Sequence, residues 1–115
     1  MNKRWFGWSG RILEIDLTSG VVATKDLTER LAHRYLGQAG INARLLYDRT
    51  SAATDPLSPS APLIFGAGPL AGTLAPCSGR FTVTFKSPLT GIFGDSNCGG
   101  HRSEERRVGK ECATG

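Results

Sequence analysis

The sequence predicts an α+β fold, with strands on either side of one or two short helices over residues 27–49. Three observations carry that prediction. Residues 11–17 (Arg-Ile-Leu-Glu-Ile-Asp-Leu) and 80–86 (Arg-Phe-Thr-Val-Thr-Phe-Lys) both alternate apolar and polar side chains, the period of two of a half-buried strand. Between them Leu27, Leu31 and Tyr35 recur at a spacing of four, which lines one face of a helix. Before the second of these strands, Gly66 to Gly79 is rich in glycine and proline and is too irregular to form a regular element.

The elements follow in order. Leu13, Ile15 and Leu17 fall on one face of the first strand, with Glu14 and Asp16 on the other. Thr18-Ser-Gly20 then leads into Val21-Val-Ala-Thr-Lys25, and a three-residue loop ending in glycine suits a hairpin with a bulge. Asp26 and Glu29 have the spacing of a capping box, which places the start of the helical region. Gly37 and Gly40 interrupt the helical period, and it resumes at Ile41, Leu45 and Leu46, giving two short helices or one kinked helix. Residues 50–62 are rich in alanine, serine and proline, with turn signals at Asp55-Pro56 and Ser58-Pro59. Leu63-Ile-Phe65 reads as a buried strand, and Gly66 to Gly79 as an irregular connector. Beyond the strand at 80–86, Ser87-Pro-Leu-Thr-Gly91 is a turn. Ile92-Phe93 starts a last strand that gives way to the small-residue run Gly94 to Gly100.

At 115 residues the chain is one domain's worth of sequence at most. No apolar run approaches the roughly 18 residues that a membrane span needs. The opening Met-Asn-Lys-Arg-Trp-Phe-Gly-Trp lacks the apolar core of a secretory signal, so a cytoplasmic location is expected. Fourteen Lys and Arg against ten Asp and Glu give a net charge of +4, which permits an anionic partner without identifying one. The three cysteines, Cys77, Cys98 and Cys112, are odd in number and widely spaced, which argues against a disulfide framework. No C-x-x-C occurs to suggest a zinc site or a complete iron–sulfur site.

Several residues invite a chemical reading. Gly66-x-Gly68 with Gly72 follows a strand, as in a dinucleotide-binding turn, but Pro69 and Pro76 stand where the helix of that motif would begin. Arg80 opens the alternating strand directly after Ser78-Gly79. It is either a solvated strand-end arginine or a guanidinium fork aimed at an anionic or polar ligand. Asp95-Ser-Asn-Cys-Gly-Gly100 is either a turn with an Asx motif, or a backbone concavity for an anion or a source of carbonyls for a hard cation. Cys77 and Cys98 read by default as small buried hydrophobes, and His33 and His101 as ordinary satisfied histidines.

Six stretches, in order, resemble the N-terminal region of the aldehyde:ferredoxin oxidoreductases. They are Trp8-Ser-Gly-Arg-Ile-Leu-Glu-Ile-Asp-Leu-Thr-Ser-Gly20, Tyr35-Leu-Gly-Gln-Ala-Gly40, Asp55-Pro-Leu-Ser-Pro59, Gly68-Pro-Leu-Ala-Gly-Thr73, Ser78-Gly-Arg80 through Lys86-Ser-Pro-Leu-Thr-Gly91, and Asp95-Ser-Asn-Cys-Gly-Gly100. The resemblance implies an enzyme that oxidises aldehydes to carboxylic acids with ferredoxin as electron acceptor. Its implied cofactors are a tungsten (or molybdenum) bis-pterin, a magnesium ion bridging the pterin phosphates, and a [4Fe–4S] cluster. The implied fold is the first β-sheet half of the cradle that clasps the paired pterins, within a full-length enzyme that is free to form homo-oligomers.

Carried over residue by residue, the resemblance matches Arg80 to the family's arginine between pterin and cluster. It matches Asn97 to the asparagine whose main-chain carbonyl binds the magnesium, and Gly99 to a glycine whose backbone meets the cofactor. Cys98 stands where the family commonly has serine or another small residue, so it is expected to be a packing or incidental residue and not a metal ligand. The family's cluster cysteines, second pterin-binding half and catalytic groups lie downstream and are not in this sequence, so no catalytic residue is assigned and the chain alone is expected to be inactive and without cofactor.

Residues 1–101 are thus expected to form a partial N-terminal domain. Arg102 to Cys112 (RSEERRVGKEC) departs from the family and resembles the in-frame translation of a sequencing adapter, so residues 102–115 are expected to be non-native. Two other functions are weighed against this one. A stand-alone, non-catalytic β module for a phosphate-bearing ligand would need covered sheet edges. A nucleic-acid binder using the terminal run is disfavoured, because Arg102, Arg106, Arg107 and Lys110 are offset by Glu104, Glu105 and Glu111 with no aromatic interleaved.

Overall fold

The computed structural model describes residues 7–99. The expectations for His101 and for residues 102–115 lie outside them. The order of elements is β1 (Arg11–Asp16), β2 (Val21–Asp26), α1 (Glu29–Tyr35), α2 (Gln38–Arg49), β3 (Ile64–Ala67), β4 (Phe81–Lys86) and β5 (Phe93–Cys98). β1 and β2 form a two-stranded antiparallel sheet, and β3, β4 and β5 a three-stranded antiparallel sheet in that spatial order. The fold is α+β, as the sequence predicts.

β1 stops at Asp16, one residue before the alternation ends, because Asp16 turns its carboxylate back onto the loop. Its Oδ1 accepts from the Thr18 amide at 2.9 Å and its Oδ2 from the Ser19 hydroxyl at 2.8 Å. Gly20 then adopts φ 71° and donates to the Asp16 carbonyl, a conformation that a side chain would oppose. On the polar face of β1, Glu14 pairs with Lys25 across the hairpin and with Arg49 at the end of α2.

Helix α1 does not start with the Asp26–Glu29 box. Asp26 stays in the ladder opposite Arg11, and the buried Leu27 closes the hairpin by donating to the Gly10 carbonyl at 2.9 Å. The cap is Thr28, extended at φ −75°, whose hydroxyl accepts from the Leu31 amide at 3.2 Å. The two helices are separate. Leu36 at φ 62° and Gln38 at φ 45° flank Gly37 between them, and the Trp8 indole donates to the Leu36 carbonyl at 2.5 Å while packing edge-on against His33.

Helix α2 packs on the three-stranded sheet, on the face that carries Ile64, Gly66, Thr82 and Thr84. That face is the polar one of β4. Thr82 and Thr84 are fully buried with Asn42 of α2. The Asn42 carboxamide donates to the Thr82 carbonyl and the Thr84 hydroxyl, each at 3.1 Å, and to the Ile64 carbonyl at 3.4 Å. The apolar face of the same sheet, Phe65 with Phe81, Val83 and Phe85, is left part-exposed. Leu63-Ile-Phe65 is therefore not a buried strand. β3 is a sheet edge with Leu63 and Phe65 exposed and only Ile64 turned towards α2.

The last part of the sheet also differs from the sequence reading. Asp95 to Cys98 is not a turn but the body of β5, paired with Thr84 to Phe81 of β4. Two contacts make small residues acceptable there. Gly94 lies under the Phe85 ring, where a Cβ would come within 2.9 Å of it, and the Thr82 hydroxyl donates to Asn97 Oδ1 at 2.6 Å. An aromatic ring over a strand glycine covers the backbone that glycine leaves bare.

Candidate functional site

The register of β4 and β5 brings the three expected site residues to one corner of the sheet. Phe81 pairs with Cys98 and Thr82 with Asn97, so Arg80, just before β4, comes opposite Gly99, just after β5. A Cβ on Gly99 would sit 3.4 Å from Arg80 Cγ and 3.5 Å from Nε, so the arginine stem runs alongside the glycine. Arg80 alternates with Thr82 and therefore shares its face with Asn97. All three residues are exposed.

Each contributes a different chemical group. Among the described residues the Arg80 guanidinium has no hydrogen bond or ion pair, which leaves its planar fork of donors open to an anion. The Asn97 side chain is already engaged by Thr82, so its unused groups are the amide Nδ2 and the main chain. β5 is an edge of the sheet, and alternate main-chain groups along it face away from β4. Gly99 offers bare backbone. No group of three or more His, Cys, Asp or Glu among the described residues could hold a metal ion, so a cation at this corner would be met by carbonyl oxygens and not by a side-chain cage.

The other candidates separate from this corner. Cys77 and Cys98 are both free and exposed, against the expectation of small buried hydrophobes. Cys98 is on the opposite face of β5 from Asn97. His33 packs on Trp8. Gly66-x-Gly68 leads from β3 into an antiparallel strand, with no helix between them, so the dinucleotide-binding arrangement is absent. An open groove of about 740 Å³ lies at the far end of β4, lined by Leu46, Tyr47, Lys86, Ile92 and Phe93, and none of the three site residues reaches it.

Two residues matter here that the sequence reading did not single out. Gln38 donates from Nε2 to the Arg80 carbonyl at 2.9 Å, and Asn42 fills the helix–sheet interface one turn further along α2. The signal available for Asn42 was its i, i+4 spacing to Leu46, which puts both on the buried face of α2. For Gln38 the signal was its place immediately after Gly37 at the break between the helices.

Comparison with known proteins locates the chain. Residues 12–109 match the family described as aldehyde ferredoxin oxidoreductase, N-terminal domain, a match that runs past His101. The tungsten-containing aldehyde ferredoxin oxidoreductases of Pyrococcus abyssi and Pyrococcus furiosus are each 41% identical over 100 residues, covering 87% of this chain and 16% of theirs. Among solved structures, the active site complex BamBC of benzoyl coenzyme A reductase, in complex with 1,5-dienoyl-CoA, superposes with a TM-score of 0.84. It is 37% identical, over 89% of this chain and 16% of that one. The chain thus spans about one sixth of the length of these relatives. A stand-alone phosphate-binding module is not favoured by such matches. Among the described residues no helix is long and apolar enough to cross a membrane.

Proposed function

The chain belongs to the aldehyde ferredoxin oxidoreductase family, and on that premise we propose that it supplies the first part of an N-terminal domain that holds a tungsten (or molybdenum) bis-pterin. The observation that carries the reading is the meeting of Arg80, Asn97 and Gly99 at one exposed sheet corner. A guanidinium with no hydrogen bond or ion pair among the described residues, a sheet-edge carbonyl and a glycine backbone without a side chain suit an anionic, phosphate-bearing cofactor with its Mg²⁺. When bound, that cofactor supplies the two-electron oxidation of an aldehyde to a carboxylic acid, with the electrons leaving through a [4Fe–4S] cluster to ferredoxin.

The chain's own residues bind and orient. Arg80 offsets negative charge on the ligand and fixes its direction through paired N–H donors, which a lysine cannot reproduce. The Asn97 main-chain carbonyl offers a hard oxygen to Mg²⁺, and the Thr82 hydroxyl keeps the Asn97 side chain from swinging across it. Gly99 lets the main chain approach the ligand closely, because no side chain intervenes. Cluster ligands and the groups that meet the aldehyde belong to the remainder of the full-length protein, with a cytoplasmic location proposed for the whole.

The test is the full-length protein carrying this chain, purified as wild type, R80K and R80A, with tungsten (or molybdenum) and pterin measured per polypeptide. The wild type is expected to hold near-stoichiometric metal and pterin. R80A is expected to lose most of both, and R80K to fall between. Full cofactor content in R80A, retained through gel filtration, would remove Arg80 from the site.

A further inference from the structure

We propose that Gln38 is a positioning residue for Arg80, holding the arginine's main chain at the corner of the sheet so that its guanidinium leaves in one direction. The inference rests on the reading of Arg80 as a cofactor-holding residue. The hydrogen bond from Gln38 Nε2 to the Arg80 carbonyl joins the first residue of α2 to the residue before β4. On the way the glutamine stem lies against Gly68, where a Cβ would be 3.7 Å from Gln38 Cδ. One side chain therefore touches both ends of the connector 68–79, which carries Pro69, Pro76 and several glycines and has no strand or helix of its own. Inside the connector the Arg80 amide donates to the Ser78 carbonyl at 2.9 Å, a bond between near neighbours, and the bond from Gln38 ties the same residue to α2.

Gln38 sits where it does at some conformational expense. Its φ is 45° and that of Leu36 is 62°, in the region that favours glycine. Backbone of this kind persists only where tertiary contacts over-determine it. Here those contacts are the Trp8 indole on the Leu36 carbonyl, Gly37 pressed against the Ala67 carbonyl and Pro69, and Gln38 on Arg80. The choice of an amide is also telling. A neutral Nε2 donor holds the Arg80 carbonyl without competing for the guanidinium. A carboxylate of the same shape would lose the donor and attract the guanidinium away from an anionic ligand.

The test uses the full-length protein in four forms: wild type, Q38A, R80A and the double variant. Q38E is added because it keeps the stem on Gly68 while removing the donor. Two quantities are read: the rate of chymotryptic nicking at Leu70 and Leu74, and tungsten and pterin per polypeptide after gel filtration. Q38A and Q38E are expected to raise nicking about five- to tenfold, the change in open population that one hydrogen bond commands. Q38A is expected to lower cofactor content in the presence of Arg80 and to have no further effect in R80A. Q38E is expected to lower it more than Q38A.

Unchanged nicking in both Gln38 variants overturns the proposal, and so does an equal cofactor loss from Q38A with and without Arg80. A wild-type protein without metal or pterin overturns the cofactor reading and with it the role of Gln38. Cofactor that is present but indifferent to Q38A and Q38E overturns the role of Gln38 alone.

Discussion

The Asn42 carboxamide occupies the space that a side chain on Gly66 would need. A Cβ built on Gly66 would lie 2.8 Å from Asn42 Cγ and would overlap the carboxamide oxygen. The helix approaches the sheet through a polar pair of layers, Asn42 against Thr82 and Thr84, with glycine making room.

This arrangement predicts a specific pattern of stability losses. N42A removes the donor that serves the buried Thr82 carbonyl and Thr84 hydroxyl and the part-buried Ile64 carbonyl, and is expected to cost about 3 kcal/mol. G66A forces the helix off the sheet and is expected to cost about 2–3 kcal/mol. The double variant is expected to lose clearly less than the sum, because removing the carboxamide frees the space that the methyl needs. Native-state hydrogen exchange of the α2 amides in the full-length protein measures all three as local opening free energies. Simple additivity would show that Asn42 and Gly66 do not share that space.

How far the fold was legible follows from the same interface. Alternation over 80–86 identifies a strand because side chains alternate with period two, but that period is symmetric and does not say which face is buried. Phe81, Val83 and Phe85 look like the inner face, yet Thr82 and Thr84 are the buried ones because Asn42 satisfies them. The capping box failed for a related reason. Leu27 and the hairpin ladder keep Asp26 extended, a tertiary contact that local spacing cannot report. At the site, Arg80, Asn97 and Gly99 were nameable from the family resemblance, but their meeting depends on β5 reaching Cys98. A run of Gly, Asp, Ser and Asn has turn propensity, and it is a strand because it pairs with β4, with the Phe85 ring over Gly94 and the Thr82 hydroxyl on Asn97 supporting the pairing.

The β1–β2 turn gives a pH prediction. Hydrogen bonds from the Ser19 hydroxyl, and then from the Thr18 and Ser19 amides, hold the Asp16 carboxyl below the usual aspartate range. A depressed carboxyl stabilises the turn while it is ionised, above the unfolded value of about 3.9, and that contribution is lost as the pH falls through the lowered folded value. The Thr18 and Ser19 amide signals are therefore expected to stay in place at pH 5 to 7 and to move only below about pH 4. D16N should abolish that low-pH transition. A transition at or above the ordinary aspartate value would contradict the hydrogen-bonded turn.

The apolar sheet face predicts how the 115-residue chain behaves by itself. Phe65, Phe81, Val83 and Phe85 lie together and part-exposed, and a contiguous patch of that kind drives association. The chain is expected to elute as oligomers or aggregates and to bind a hydrophobic dye. F65S with V83T is expected to shift it towards monomer. A monomeric elution profile with a sharp cooperative melt would contradict this.

Arg102 to Cys112 carries seven charged residues and one aliphatic, Val108, and resembles translated adapter sequence. The family match nevertheless runs to residue 109. Amplifying and sequencing the source locus across codon 101 is expected to replace this run with sequence that continues the domain. A genomic read-through encoding Arg102 to Cys112 would contradict it.

The corner formed by Arg80, Asn97 and Gly99 is proposed to hold the cofactor. Anomalous diffraction at the tungsten edge from crystals of the full-length protein, or at the molybdenum edge if that metal is found, tests it most directly. A metal peak is expected beside this corner, with the Arg80 guanidinium within hydrogen-bonding distance, about 3 Å, of a cofactor atom. A metal peak remote from the β4–β5 corner, with Arg80 paired instead to a protein carboxylate, would contradict it.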